Sequence, residues 1–180
     1  MTLDKAARGT LFLVAGPSGA GKDTLIAEAA RALSMSHIFP QRVITRPAGA
    51  DAEQHAHHSA EVFADAEAKG AFALSWSAHG LRYGIPVSIL EDLAAGRHVV
   101  VNVSREVAAA ARERFQPSHV IVVTASRETL ARRLSTRGRE AAGDIAQRLE
   151  RRVDLAPDTL IVNEGPLEAA ITRFIEVLKG

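Results

Sequence analysis

The chain alternates short, unbroken apolar runs with longer stretches in which alanine and leucine recur at helical spacing. The runs are Thr10-Leu11-Phe12-Leu13-Val14-Ala15, His98-Val99-Val100-Val101-Asn102-Val103, His119-Val120-Ile121-Val122-Val123-Thr124 and Thr159-Leu160-Ile161-Val162. Their apolar residues are continuous rather than alternating, which predicts strands buried on both faces. The intervening stretches predict helices over 23–33, 87–95, 105–115, 144–155 and 167–178, with a further helix capped by Ser126 and interrupted at Gly138. Buried strands alternating with helices predict an α/β fold, a parallel β-sheet core covered by helices. Residues 46–86 break that rhythm. Val43-Ile44 leads into Thr45-Arg46-Pro47, where proline ends any helix. A short helix is expected over 61–69, closed by Gly70, then small strands over 72–76 and 80–86. The expected organisation is one domain over 1–180, with a core of about 8–45 and 87–180. An insert of about 46–86 should lie over the carboxyl ends of the strands, where ligands bind in open α/β sheets.

Composition narrows the classes. At 180 residues the chain can bury one real core, and a formal net charge of +1 argues against a nucleic-acid coat or a polybasic membrane anchor. No cysteine is present, which excludes a disulfide framework, a thiol nucleophile and a Cys-ligated zinc site. The start of the chain lacks the apolar run of a signal peptide, so a cytoplasmic protein is expected. The basic residues are lopsided, 18 Arg against 4 Lys. Base composition alone could produce this in an alanine-rich chain. Arginine is also the side chain that grips phosphate bidentately.

One motif carries specific chemistry. Gly16-Pro17-Ser18-Gly19-Ala20-Gly21-Lys22 fits G-x-x-x-x-G-K, directly after a buried strand and before a helix. Glycines let backbone N–H groups turn inward around phosphate oxygens, the helix start adds its positive end, and Lys22 supplies a mobile charge. The residue after this lysine is usually Ser or Thr, a Mg²⁺ ligand; here Asp23 stands there, followed by Thr24. Asp23 has two readings, a hard carboxylate ligand for Mg²⁺ or a negative charge that suits the helix dipole.

From this loop onward the chain resembles the guanylate-kinase group of P-loop kinases. The resemblance rests on the loop, Thr45-Arg46-Pro47, Gly70-Ala71-Phe72 through Trp76, and His79-Gly80-Leu81-Arg82-Tyr83-Gly84-Ile85-Pro86. It continues through Leu134-Ser135-Thr136-Arg137-Gly138-Arg139 and Ile161-Val162-Asn163-Glu164. Departures fall where that group reads guanine. Ser75 replaces a base-reading Glu, Asn102 and Ser104 replace a pair of acids, Arg42 replaces a Ser, and no second Arg follows near Gly49. A base edge without its carboxylate partners loses much of its affinity. Asp23 after the lysine, Glu53-Gln54-His55, and the strand ending Asn102-Val103-Ser104-Arg105 fit a narrower likeness. In these the chain resembles the ribose 1,5-bisphosphate phosphokinases of phosphonate catabolism.

That resemblance implies transfer of a phosphoryl group from ATP, with Mg²⁺, to ribose 1,5-bisphosphate, giving 5-phosphoribosyl 1-diphosphate. It implies that Gly16 to Thr24 bind ATP. A short lid of about 136–144 would close on the phosphates, with Arg137, Arg148 and Arg133 as cations beside Lys22. It implies that Arg46 and Tyr83 hold the acceptor's phosphate. Arg82 could add a second guanidinium or be exposed in a turn, and His55 could hydrogen-bond a sugar hydroxyl or phosphate. The His55, His57 and His58 cluster has no familiar closed-zinc spacing. A phosphorylated ribose is the expected partner, without nucleic acid or membrane. The alternatives are a guanylate or other nucleoside monophosphate kinase, and a non-catalytic binding module. The missing acids argue against the first, and the intact loop with Lys22 against the second.

Overall fold

A computed structural model describes residues 9–46, 56–136 and 155–180. Strand β1 (Leu11–Ala15) is buried along its whole length. It pairs in parallel with β7 (His98–Asn102) on one side and β8 (Ser118–Thr124) on the other, Leu13 lying opposite Val101 and Val120. Strands β2 (His37–Ile38) and β9 (Thr159–Val162) complete a five-stranded parallel sheet in the order β2-β7-β1-β8-β9. The alternate side chains of β1, β7 and β8 feed two different cores, and this is why those runs are continuously apolar. The 159–162 run departs from the expected burial on both faces, because β9 is an edge strand that buries Ile161 and leaves Leu160 and Val162 exposed. Phe12, Val14, Val100, Ile121 and Val123 pack against α1 (Lys22–Leu33) and a C-terminal helix, α6 (Leu167–Lys179), through Leu25, Ala29, Phe174 and Leu178. On the other face Leu11, Leu13, Val99, Val101 and Val120 meet α3 (Ile89–Ala94) and α4 (Arg105–Arg114).

The insert is a sheet of its own. Strands β3 (Val43–Ile44), β4 (Ala56–His57), β5 (Phe72–Ala78) and β6 (Leu81–Pro86) pair in the order β4-β3-β6-β5. This sheet begins at Val43, ahead of the expected boundary at 46, because Val43 and Ile44 pair with Gly84 and Tyr83 of the hairpin. The β5–β6 turn has His79 at φ 54° and Gly80 at φ 72°. Two successive left-handed residues match the right-handed twist of a hairpin. Helix α2 (Ala60–Ala68) covers one face, with Phe63 stacked on Phe72 at a centroid distance of 4.6 Å. Leu74, Ile85 and Trp76 on the other face join the core of the large sheet.

Helix starts follow the sequence. Ser59 and Ser104 each accept a bond from the backbone N–H three residues on, and Ser126 does the same for Thr129 at the start of α5 (Arg127–Thr136). Gly70 and Gly96 stand just past α2 and α3 at positive φ. The two-residue strands β2 and β4 are not predicted from the pattern. Each is too short to show a period, and each exists because a neighbouring strand offers an edge.

Candidate active site

The loop from Gly16 to Lys22 links the carboxyl end of β1 to α1. Gly16 adopts φ 146°, and a Cβ there would lie 2.0 Å from the Val123 carbonyl oxygen. Gly21, at φ 90°, would place a Cβ 2.5 Å from the Asn163 side-chain nitrogen. The glycines are therefore required both by backbone conformation and by close neighbours. Lys22 Nζ curls back over the loop and donates to the carbonyls of Gly16 and Pro17, each at 2.9 Å.

The underside of the loop is held from β9 and α5. Asn163 is buried, its amide donates to the Ala20 carbonyl at 2.8 Å, and its backbone N–H donates to Thr124 O at 2.7 Å. Arg133 donates to Gly19 O at 3.3 Å and to Asn163 O at 3.1 Å. Glu164 closes this corner. Its carboxylate accepts from the Ser126 N–H and from Thr129 Oγ1. The Ser126 bonds, more than the Thr129 bond or the charge of Arg133, hold its pKa below the ordinary carboxylate value.

On the other side, Asp23 sits in the first turn of α1 and accepts from the Asn102 amide at 2.6 Å. Asn102 ends β7, so this bond ties the loop to the neighbouring parallel strand. The Asn102 carbonyl in turn accepts from Arg42 Nη1 at 3.4 Å. The Arg42 guanidinium lies over the Tyr83 ring, 5.1 Å from its centroid. Tyr83 stacks on Trp76 at 5.2 Å, with ring planes 11° apart. A continuous path of contacts thus runs from the phosphate loop to the insert.

Arg82 and Tyr83 are neighbours on β6 and so point to opposite faces. The Arg82 side chain pairs with Glu67 of α2 and lies over Phe63, 4.7 Å from the ring centroid. Ser75, opposite Gly84 on the paired strand, also donates to Glu67, at 2.7 Å. The Ser75 bond, then the Arg82 bond, lower the pKa of Glu67. Arg46 follows β3, and its carbonyl pairs with His57 Nδ1 at 3.0 Å.

Among known proteins, the ribose 1,5-bisphosphate phosphokinase PhnN of Acidiphilium cryptum is 51% identical over 94% of this chain and 92% of its own. That of Methylobacterium radiotolerans is 45% identical over 96% of this chain and 98% of its own. The chain belongs to the ribose 1,5-bisphosphate phosphokinase family. The family is not confined to single-domain proteins. A bifunctional ribose 1,5-bisphosphokinase-thymidine phosphorylase of Azorhizobium caulinodans is 45% identical over 94% of this chain, which covers 25% of that protein. The sequence profile of the AAA domain family matches residues 11–157. In fold, the chain is similar to a guanylate kinase from Anaplasma phagocytophilum, with TM-score 0.68 and 21% identity over 96% of this chain and 86% of that one.

Seen as a member of this phosphokinase family, the chain brings some expected residues together and separates others. Gly16 to Thr24 form one loop and helix start. Tyr83 lies on the face of the insert that turns toward the large sheet. Arg82 does not share that face; strand alternation turns its side chain to Glu67. Arg133 is adjacent to the loop, and the donors described above go to the Gly19 and Asn163 carbonyls. The expected residues Arg137, Arg148 and His55, and most of the 136–144 segment, lie outside the described residues. Sequence reasoning missed the bonds of Asn102 to Asp23 and of Asn163 to Ala20. The available signal was position: both asparagines stand at or just past the carboxyl end of a buried parallel strand.

Proposed function

We propose that the chain transfers the γ-phosphoryl group of ATP to the 1-phosphate of ribose 1,5-bisphosphate, forming 5-phosphoribosyl 1-diphosphate and ADP. The observation that carries this reading is the near-full-length identity to relatives named as ribose 1,5-bisphosphate phosphokinases. The bond between the γ-phosphorus and the β–γ bridging oxygen breaks. A new bond forms from that phosphorus to an oxygen of the acceptor phosphate. This acceptor oxygen is already ionised near neutral pH, since a phosphate's second pKa is about 6. No strong general base is needed. The burden falls on alignment and on neutralising charge shared by two anionic partners.

The chain's own groups suit that task. The loop N–H groups and the start of α1 receive the ATP phosphates, and Lys22 can swing from the Gly16 and Pro17 carbonyls onto a phosphate oxygen. Asp23 and Thr24 offer a carboxylate and a hydroxyl in one helical turn, an all-oxygen donor pair that fits Mg²⁺. When bound, Mg²⁺ supplies charge neutralisation on the phosphates; Asn102 fixes one Asp23 oxygen beforehand. Arg46 and Tyr83 hold the acceptor phosphate, His55 bonds a sugar hydroxyl or phosphate, and Arg137 and Arg148 supply cations to the ATP phosphates. No helix among the described residues is long and apolar enough to cross a membrane.

The test is an ATP-dependent assay run side by side with ribose 1,5-bisphosphate and GMP, with product identification. Conversion of the sugar bisphosphate and negligible conversion of GMP is expected. Efficient GMP turnover with an inert sugar bisphosphate would overturn the reading in favour of a nucleotide kinase.

A further inference from the structure

We infer that Arg42 is an acceptor-phosphate ligand, the second guanidinium that a twice-phosphorylated sugar demands. This rests on the reaction proposed above and names a residue that sets its specificity. Two phosphates on one small acceptor carry several negative charges, and a site that binds both needs cations beyond one arginine and a tyrosine hydroxyl. Arg82 is the neighbour of Tyr83 in sequence, yet its guanidinium is on the α2 face, engaged with Glu67 and Phe63. Arg42 is distant from Tyr83 in sequence and adjacent to it in space.

Strand register explains the adjacency. Ile44 lies opposite Tyr83 and Val43 opposite Gly84. Alternation therefore puts Arg42 and Ile44 on the Tyr83 side of the insert, with Arg46 the next residue on that side. The Arg42 guanidinium caps the Tyr83 ring at 5.1 Å. Its bond to the Asn102 carbonyl at 3.4 Å brings it to the carboxyl edge of the large sheet. The side chain of that same asparagine is bonded to Asp23, the residue after Lys22. Arg42 thus spans the space between the phosphate loop and the acceptor insert. Stacking on Tyr83 holds the guanidinium plane, so less freedom is lost when its planar fork meets a phosphate.

The experiment compares wild type with Arg42→Gln, Arg42→Lys and Arg82→Gln. KM and kcat are measured separately for ribose 1,5-bisphosphate and ATP, beside thermal melts of each protein. Wild-type turnover of the sugar bisphosphate is established first; failure there overturns the proposed reaction itself and this assignment with it. Given wild-type activity, Arg42→Gln is expected to raise the acceptor KM roughly 10- to 100-fold, the loss of a charge-assisted bond. Its ATP KM should stay within about 3-fold, because the nucleotide phosphates are held by the loop. Arg42→Lys keeps the charge without the fork and should fall between. Arg82→Gln should lower the melting temperature with little change in acceptor KM. An acceptor KM unchanged in Arg42→Gln, an equal rise in the ATP KM, or a larger acceptor effect in Arg82→Gln would each overturn the assignment. Should Arg42→Gln not fold, the same comparison is made with Arg42→Lys, where an acceptor KM equal to wild type has the same force.

Discussion

Asn163→Asp changes one side-chain nitrogen to oxygen at the underside of the phosphate loop. In the native chain this amide donates to the Ala20 carbonyl at 2.8 Å, and Asn163 is only 2% exposed. The variant turns a donor–acceptor contact into two facing oxygens and adds a buried charge. An unpaired buried charge costs about 3–5 kcal/mol. Arg133, bonded to the Asn163 carbonyl at 3.1 Å, partly compensates. The lower end, about 3 kcal/mol, is therefore expected. For a chain of this size that lowers Tm by about 6–12 °C. Asn163→Ala is the control. It loses the same bond, but it also removes the buried Asn163 Oδ1, which has no hydrogen-bond partner among the described residues. Its cost should be about 1 kcal/mol, or about 2–4 °C. The assay is calorimetric melting of both variants and wild type at pH 8 and at pH 5.5. Burial raises the pKa of the new carboxyl above its unfolded value, so the penalty is complete above the raised pKa. It shrinks as pH falls and the protonated acid can donate to Ala20. A variant carboxylate no more harmful than alanine at pH 8, or a gap that ignores pH, would refute the reasoning.

Lys22→Ala should lose roughly 100- to 1,000-fold in kcat, as for removal of one transition-state cation, and melt within about 4 °C of wild type; retention of a tenth of the activity or more would remove Lys22 from the chemistry. Asp158 is pushed up by burial, but bonds from the Val120 N–H and Arg112, with the charges of Arg112 and His119, outweigh this and leave its pKa lowered. Its stabilisation is complete above the ordinary carboxyl pKa of about 4 and is lost as pH falls through the lowered value. Asp158→Asn should therefore destabilise at pH 7 and flatten the loss of stability below about pH 4; identical acid limbs in thermal melts would contradict this. Ser75→Glu should gain no GMP turnover, because Asn102 and Ser104 still lack carboxylates, and it should melt below wild type because the new charge faces Glu67. Efficient GMP turnover by that variant would contradict the reading of the acceptor site.

The continuous apolar runs at 11–15, 98–103 and 119–124 were sufficient to predict buried parallel strands, because only a sheet covered on both faces makes both parities of a strand apolar. The glycines and Lys22 of the phosphate loop were equally legible. Their conformational demand is local: Gly16, Gly19 and Gly21 all have positive φ. Capping serines at 59, 104 and 126 act within three residues, so those helix starts too could be read from neighbours alone.

The tertiary structure decided what depends on pairing between distant positions. The two-residue strands β2 and β4 have no period of their own and form only against β7 and β3. The bond from Asn102 to Asp23 joins residues 79 apart, and that from Asn163 to Ala20 joins residues 143 apart. The Tyr83 face of the insert shows the same division. The sequence places Arg82 beside Tyr83 and Arg42 far from it. Antiparallel register reverses this, because adjacent strand residues face opposite ways while Ile44 and Tyr83 are brought into opposition. Local sequence thus determined the phosphate loop, and strand pairing determined which arginine stands over Tyr83.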